Sequence, residues 1–320
     1  MTEKHAVVIT GIGLVSPLGN NTHQNWKNAC AGKSGISFLS DPKFEICSCR
    51  VAGQVAGEAE RLEEIVPIQK RRKMDRFISL GLLAASEAMG DANLTTTFPD
   101  DRWRFGAYLG IGVGGAESII NNTRLLDARG ARAVSPLMVP RSISNESVAW
   151  LSIEWNLHGP TMVIANACAS GGDAIGHAYR SIRDGYADYM LAGGTESSIT
   201  TLGLISFGNM RALSSWKGDP SKASRPFDSD RSGFVMSEGA AVLVLERKDL
   251  AVARGAKIYA EMVGYGSTSD AFHVTAPHPE GDGAAMAMRQ AMNEAGISPD
   301  QIGYVNAHGT ATLMGDVAET

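Results

Sequence analysis

Thr161-Met162-Val163-Ile164-Ala165-Asn166-Ala167-Cys168-Ala169-Ser170-Gly171-Gly172 is the stretch on which the fold turns. An apolar, strand-like run stops at a cysteine, and small residues then open a helix. Beyond them Ala174, Ile175, Ala178, Tyr179 and Ile182 recur at helical spacing, so the helix has one apolar face and is expected to be buried along it. Its N-terminus points at Cys168. A helix N-terminus carries partial positive charge and N–H groups that favour thiolate over thiol and hold an oxyanion as it develops. Gly171 and Gly172 weaken a helix, and their presence predicts that another helix or a substrate chain approaches the backbone closely there. On this stretch alone two readings of Cys168 stand side by side. It is an activated nucleophile, or it is an inert core thiol, free cysteine being among the most buried residue types.

Working outward, 320 residues with 44% hydrophobic and 20% charged side chains can bury a large core, in one large domain or two smaller ones. The net charge of -5 argues against a general nucleic-acid binder. Glycine, at 36 residues, clusters beside apolar runs, as strand-to-helix turns require. Cys30, Cys47, Cys49 and Cys168 show no regular spacing, which predicts reduced thiols, no disulfide framework and no zinc site. Residues 1–5 are short and polar, and no apolar run approaches the roughly 20 residues that span a bilayer. A cytoplasmic protein with no membrane insertion is expected.

Residues 6–10 read as a buried strand, followed by Gly11-Ile12-Gly13-Leu14-Val15-Ser16-Pro17-Leu18-Gly19. This resembles a dinucleotide-binding turn, but Ser16 replaces the third glycine, a proline follows and no acid-ended second strand appears, so a structural Gly-rich turn is expected. A short helix over 25–31 and an irregular region over 44–64 come next, with Cys47 and Cys49 as incidental thiols. Lys70-Arg71-Arg72-Lys73 is read as the exposed start of a helix buried along Phe77, Leu80, Leu83, Ala84 and Met89. Cations there oppose the helix dipole, a cost that an acidic partner would offset; a solvated charge run is the alternative. A strand over 105–110 ends in the Gly-rich loop 111–115, where a ligand can approach. Residues 135–140 form a Pro-bounded loop, and a helix over 144–155 leads into the Cys168 strand. Further strands over 188–192 and 239–246 complete an alternating α/β core.

The pattern then begins again. A strand over 257–263, a helix over 283–295 and a strand over 302–307 repeat the order of the helix 77–89, the polar break 95–101 and the strand 105–110, which predicts an internal duplication. The second strand ends at His308, followed by Gly309, Thr310 and Thr312, a placement that suits a working imidazole at a strand's C-terminal edge. A lone histidine is usually structural; this one gains weight from Cys168, since strand-end Cys and His in two similar halves could face each other across a pseudo-twofold axis. His158, His177, His273 and His278 lack that context.

These residues resemble the elongating β-ketoacyl-acyl-carrier-protein synthases of fatty acid synthesis, ketoacyl synthase II-like members of the thiolase superfamily. The likeness runs end to end, through Val8-Ile9-Thr10-Gly11-Ile12-Gly13 with Ser16-Pro17-Leu18-Gly19, Asn166-Ala167-Cys168-Ala169-Ser170-Gly171, Arg225-Pro226-Phe227-Asp228, Gly233-Phe234, and Asn306-Ala307-His308-Gly309-Thr310-Ala311-Thr312. It implies an α/β thiolase-like fold of two duplicated α/β halves in a layered α-β-α-β-α arrangement, with the nucleophile half over 1–250 and the start of a truncated second half over 251–320. By resemblance Cys168 takes the acyl chain as a thioester and His308 hydrogen-bonds the malonyl thioester carbonyl. Thr310 and Thr312 would line the pantetheine tunnel, Phe234 would gate the site, Val113 would sit near the acyl pocket, and Thr275 is counted with the substrate-binding residues. Arg72, Lys73 and Arg132 would meet an acidic acyl carrier protein. No metal or resident cofactor is implied, substrates arriving on the carrier's phosphopantetheine. A homodimer is implied too, pairing across residues 162–165.

The likeness also implies a second catalytic histidine, a lysine and a Gly-rich oxyanion loop C-terminal to Thr320, none of which maps here. An incomplete chain, unable by itself to condense acyl and malonyl thioesters, is therefore expected. Two other classes use the same residues. A cysteine-dependent hydrolase or acyltransferase would release a free acid and ignore malonyl donors. A non-catalytic partner subunit would ordinarily lack the cysteine.

Overall fold

The computed structural model describes residues 4–95 and 98–320. Met1, Thr2 and Glu3, and Thr96 and Thr97 within the expected polar break, lie outside the described residues. In chain order the strands are β1 (Val7–Val15), β2 (Ser37–Phe38), β3 (Val51–Gly53), β4 (Phe105–Gly110), β5 (Thr161–Ile164), β6 (Tyr189–Glu196), β7 (Met236–Ser237), β8 (Gly239–Arg247) and β9 (Ala260–Met262). Compactness groups residues 1–33, 54–200 and 237–262 into one unit and residues 34–53, 201–236 and 263–320 into a second. These units interleave along the chain.

The first unit is built on a six-stranded mixed sheet of order β5-β4-β6-β8-β1-β9. β4 pairs in parallel with β5 and β6, while β8 runs antiparallel to β6 and β1. Neighbouring residues of β6 show how it is covered. Gly194 lies against Gly171 of the helix Ser170–Arg183, its Cβ position 3.3 Å from the Gly171 Cα. Thr195 Oγ1 donates to the Phe77 carbonyl of the helix Arg76–Asp91 at 2.6 Å. Successive strand residues face opposite ways, so the two helices sandwich the sheet. The expected α/β core is present.

Helix Arg76–Asp91 forms where its apolar face predicts, with Phe77, Leu80, Leu83, Ala84 and Met89 fully buried. Its start differs from expectation. Lys70 and Arg71 end a separate one-turn helix, Ile68–Arg71, Arg72 and Lys73 lie in the turn after it, and Asp75 caps the long helix by accepting from the Arg76 N–H at 2.6 Å. A carboxylate, not a row of cations, therefore meets the dipole.

The expected turn at Gly11 and Gly13 is also corrected, because both lie within β1. A Cβ at Gly11 would collide with the Ala88 carbonyl, and one at Gly13 with that of Ala84. The glycines let the helix rest directly on the strand. β9 pairs with β1 only at Val7, Val8 and Ile9. Beyond it Ile12 N–H donates to the Asp91 carboxylate at 3.0 Å and Leu14 N–H to that of Glu87 at 3.1 Å.

The second unit repeats this interlock. Gly264 and Gly266 lie under the Ala291 and Ala287 carbonyls of helix Asp282–Ala295. Tyr265 N–H donates to Glu294 at 3.1 Å, and Ser267 N–H to Gln290 at 3.2 Å. Glycine, alanine and acceptor recur in the same order and spacing, a duplication far clearer in contacts than in letters. The expected strand over 302–307 is absent: the segment has no regular structure, and Tyr304 and Val305 are exposed. No ladder partner satisfies its N–H and C=O groups among the described residues, so it does not register as a strand. The strand expected over 257–263 forms only at β9.

Gly13→Ala is expected to destabilise the protein by at least ~2 kcal/mol, since backbone must move to admit the methyl group. Gly90→Ala, in the helix Arg76–Asp91 with no atom within 4 Å of its Cβ position, should instead stabilise by up to about 1 kcal/mol. Urea denaturation of the two variants checks the contrast.

Candidate active site

β4, β5 and β6 run parallel and end at one edge of the first unit's sheet, the edge where α/β sheets present ligands. Cys168 stands there, exposed, in a short turn Ala167–Ala169 that leads into helix Ser170–Arg183. The inert-core reading fails on this exposure. Ala167 holds φ +46°, a left-handed conformation that costs a non-glycine residue on the order of 1–2 kcal/mol. Ser170 fixes the corner: its buried Oγ accepts from the Asn166 N–H at 2.8 Å and donates to the Ala167 carbonyl at 2.7 Å. Asn166 Nδ2 donates to Asp173 at 2.6 Å. What approaches the helix start is the sheet: a Cβ at Gly110 of β4 would collide with the Ser170–Gly171 peptide, whereas Gly172 has nothing within 4 Å of its Cβ position. All four cysteines are thiols. Cys30 and Cys168 are exposed and Cys47 is buried, where desolvation first and Cys49 second push its thiol up.

Val113 belongs to the loop after β4 and is exposed. Glu196, at the end of β6, holds this loop: its Oε2 accepts from the Gly112 and Val113 N–H groups at 3.0 and 2.7 Å.

In the second unit His308 is exposed, and its N–H and that of Gly309 donate to the Glu319 carboxylate. Thr310 and Thr312 are half-buried with their hydroxyls 3.1 Å apart. Asp316, 2% exposed, organises the segment. It accepts from the Ala311 N–H at 2.9 Å and the Phe227 N–H at 2.6 Å, while Arg231 bonds the Thr312 and Leu313 carbonyls. Thus the Arg225-Pro226-Phe227-Asp228 motif and the His308 motif are tied together by one buried carboxylate. Phe234 is half-buried, edge-on to Phe207 at 5.3 Å. Thr275 is exposed in a loop turned by His273, whose Nδ1 accepts from the Thr275 and Ala276 N–H groups, both at 3.1 Å.

Of the basic cluster, Lys70 pairs with Glu154 at 2.8 Å and Arg71 with Glu63 at 3.3 Å. Arg72, Lys73 and Arg132 are exposed, and none forms an ion pair among the described residues. Glu196, Asp316 and the role of Ser170 went unrecognised in the sequence. The Gly193-Gly194-Thr195-Glu196 run and the invitation of Gly315-Asp316 after a hydroxyl-rich loop were the available signals.

The fold and the corner cysteine define a thiolase-like α/β ketosynthase architecture, and solved structures agree. A β-ketoacyl synthase from Burkholderia phymatum STM815 superimposes with a TM-score of 0.90 at 35% identity, over 98% of this chain and 76% of that one. A ketosynthase in complex with a type II PKS acyl-carrier protein gives 0.89 at 30% identity, over 99% and 76%. Residues 4–251 match the Beta-ketoacyl synthase N-terminal domain and residues 259–320 the C-terminal domain. The 3-oxoacyl-[acyl-carrier-protein] synthase 2 of Vibrio cholerae is 46% identical over 99% of this chain and 76% of its own length, and that of Staphylococcus aureus 42% over 100% and 76%. The chain belongs to the β-ketoacyl synthase family.

With limiting iodoacetamide at neutral pH, Cys168 is expected to be labelled before Cys30, although both are exposed, and buried Cys47 last. Peptide mapping over time checks the order. Equal rates at Cys30 and Cys168 would remove the case for activation by the helix start.

Proposed function

We propose that this protein catalyses the decarboxylative Claisen condensation of fatty acid elongation. The observation that carries the reading is the exposed thiol of Cys168 at a strained corner, two residues before a helix start at the ligand edge of the sheet. In the first half-reaction the Cys168 thiolate attacks the acyl thioester on acyl carrier protein, and the carrier's thiol leaves. Exchange between two thioesters is nearly balanced in energy, so the cysteine needs activation and placement more than driving force. In the second, malonyl-acyl carrier protein loses carbon dioxide. The resulting enolate attacks the acyl carbonyl and expels the Cys168 thiolate, leaving a 3-oxoacyl chain on the carrier. His308 is assigned to donate to the malonyl thioester carbonyl, where negative charge develops.

Thr310 and Thr312 are assigned to the pantetheine arm, with Phe234 and Thr275 at the substrate passage and Val113 at the acyl chain. The chemistry asks for no metal and no resident cofactor, the reactive groups arriving on phosphopantetheine. No helix among the described residues is long and apolar enough to cross a membrane, and a cytoplasmic enzyme fits this reading. β5 lies at the edge of its sheet with Met162 exposed, which supports pairing of a second copy along that strand. Arg72, Lys73 and Arg132 are the proposed dock for the carrier, because acidic partners are captured by cations that are not already paired within the chain.

The test is acyl transfer to Cys168, followed by mass spectrometry, and product formation with malonyl-acyl carrier protein. Acyl uptake that Cys168→Ala abolishes is expected, with no free acid; a 3-oxoacyl product from this chain alone would overturn the expectation that it cannot condense, and free acid without need of a malonyl donor would favour a hydrolase. For Arg72→Glu with Lys73→Glu, transfer from acyl carrier protein relative to transfer from an acyl-pantetheine thioester should fall about tenfold at low salt, and less at high salt. A proportional loss with both donors would place the two cations in the folding of the site instead.

A further inference from the structure

The Glu196 carboxylate receives more donors than a strand end requires. Oε2 takes the Gly112 and Val113 N–H groups at 3.0 and 2.7 Å, and Oε1 takes the Ser197 N–H at 3.1 Å and the Ser198 hydroxyl at 2.7 Å. One anion therefore ties the end of β6 to the loop that follows β4. The same loop is anchored a second time, by Gly115 N–H to the Ser142 carbonyl at 3.2 Å. Val113 lies between the two anchors and is 57% exposed. At Gly112 a Cβ would lie 3.2 Å from Glu196 Oε2 and 3.7 Å from the Ala167 carbonyl, so the tethered peptide passes directly beside the residue preceding the nucleophile.

We propose that Glu196 is a positioning residue for acyl-chain selectivity, holding the Gly112 and Val113 peptide against the Cys168 corner so that Val113 meets the chain at a fixed place. The proposal rests on the reading of Cys168 as acyl acceptor. It does not make Glu196 a catalytic group. Its carboxylate is fully engaged with donors, and it acts through the backbone of the loop. A carboxylate suits this place because both its oxygens only accept. An amide in its place turns an NH2 group toward either the loop N–H groups or Ser197, so one of the two tethers must give way.

The experiment compares the unmodified chain with Glu196→Gln, Val113→Ala and the double variant. Amide hydrogen exchange is read at Gly112 and Val113, and kcat and KM for acylation of Cys168 are measured with palmitoyl- and butyryl-pantetheine thioesters. In Glu196→Gln the two amides should lose protection, and the palmitoyl-to-butyryl ratio of kcat/KM should change about tenfold, mainly through KM, as expected for losing hydrogen bonds to a charged group. Val113→Ala should shift the ratio in the unmodified background and add little to Glu196→Gln. A ratio within twofold of the unmodified chain, unchanged amide protection, or independent effects in the double variant would overturn the proposal. If Glu196→Gln does not fold, Glu196→Asp, which keeps the charge but is one methylene short, answers the same question. Failure of the unmodified chain to take up either acyl group would instead refute the acyl-acceptor reading, a result separate from the amide-exchange readout of the tether.

Discussion

The rest of the first unit depends on how β1 is satisfied along the edge that β9 leaves uncovered. A strand inside a sheet must place its N–H groups on partners, and an orphaned buried amide costs on the order of 1–3 kcal/mol. β9 covers β1 only as far as Ile9. Beyond that point the helix Arg76–Asp91 supplies the acceptors, Asp91 for Ile12 and Glu87 for Leu14. Carboxylates reach the strand only if the helix backbone comes down onto it, and Gly11 and Gly13 make that approach sterically possible. Close packing and hydrogen bonding are here one constraint. Its recurrence at Gly264, Gly266, Gln290 and Glu294 shows that the constraint, and not the surrounding letters, is what the two halves have kept.

From this seated sheet the geometry at the nucleophile follows. With one helix pressed on one face, the other face accepts Ser170–Arg183 at Gly110 and Gly194, where side chains are absent and helix backbone meets strand backbone. The helix start is thereby held at the ends of the parallel strands, and the chain arriving from β5 has few residues in which to turn. Ala167 takes the left-handed conformation that this turn demands. The two hydrogen bonds of Ser170, each worth about 1 kcal/mol net, are of the size needed to offset a cost of about 1–2 kcal/mol at Ala167. The strain thus resides one residue before the thiol, in a segment that stays locked.

Much of this was legible in the sequence because it is written in local patterns. The strand-to-helix corner at Cys168, the buried face of the helix Arg76–Asp91 and the long β8 strand all follow from periodicity and small-residue placement. The misreadings share a cause. Gly11 and Gly13 look like turn residues because glycine signals both a turn and a close approach, and only the distant Ala84 and Ala88 decide between them. The Lys70 to Lys73 cluster suggests the start of the long helix because charge runs carry no phase, whereas Asp75, the actual cap, is a single letter two residues beyond them. Residues 302–307 have a strand's composition without a strand's neighbours, and composition cannot supply a ladder. Glu196 and Asp316 were missed for the same physical reason, since each works on backbone N–H groups far away in sequence.

These long-range carboxylates also explain how motifs that look independent in the sequence act as units. Asp316 joins the Arg225-Pro226-Phe227-Asp228 stretch to the loop after His308 by accepting from Phe227 and Ala311, both of which hold positive φ, +63° and +65°. Two non-glycine residues in that region together cost on the order of 2–4 kcal/mol relative to ordinary backbone. A charge-assisted hydrogen bond to each, worth about 1.5–3 kcal/mol, is enough to hold them. The loop after His308 is therefore set at Ala311 by a buried acid five residues further along the chain, just as the backbone beside Cys168 is set by Ser170. In each case the residue that carries the proposed chemistry is left exposed, and its neighbours hold the strained backbone.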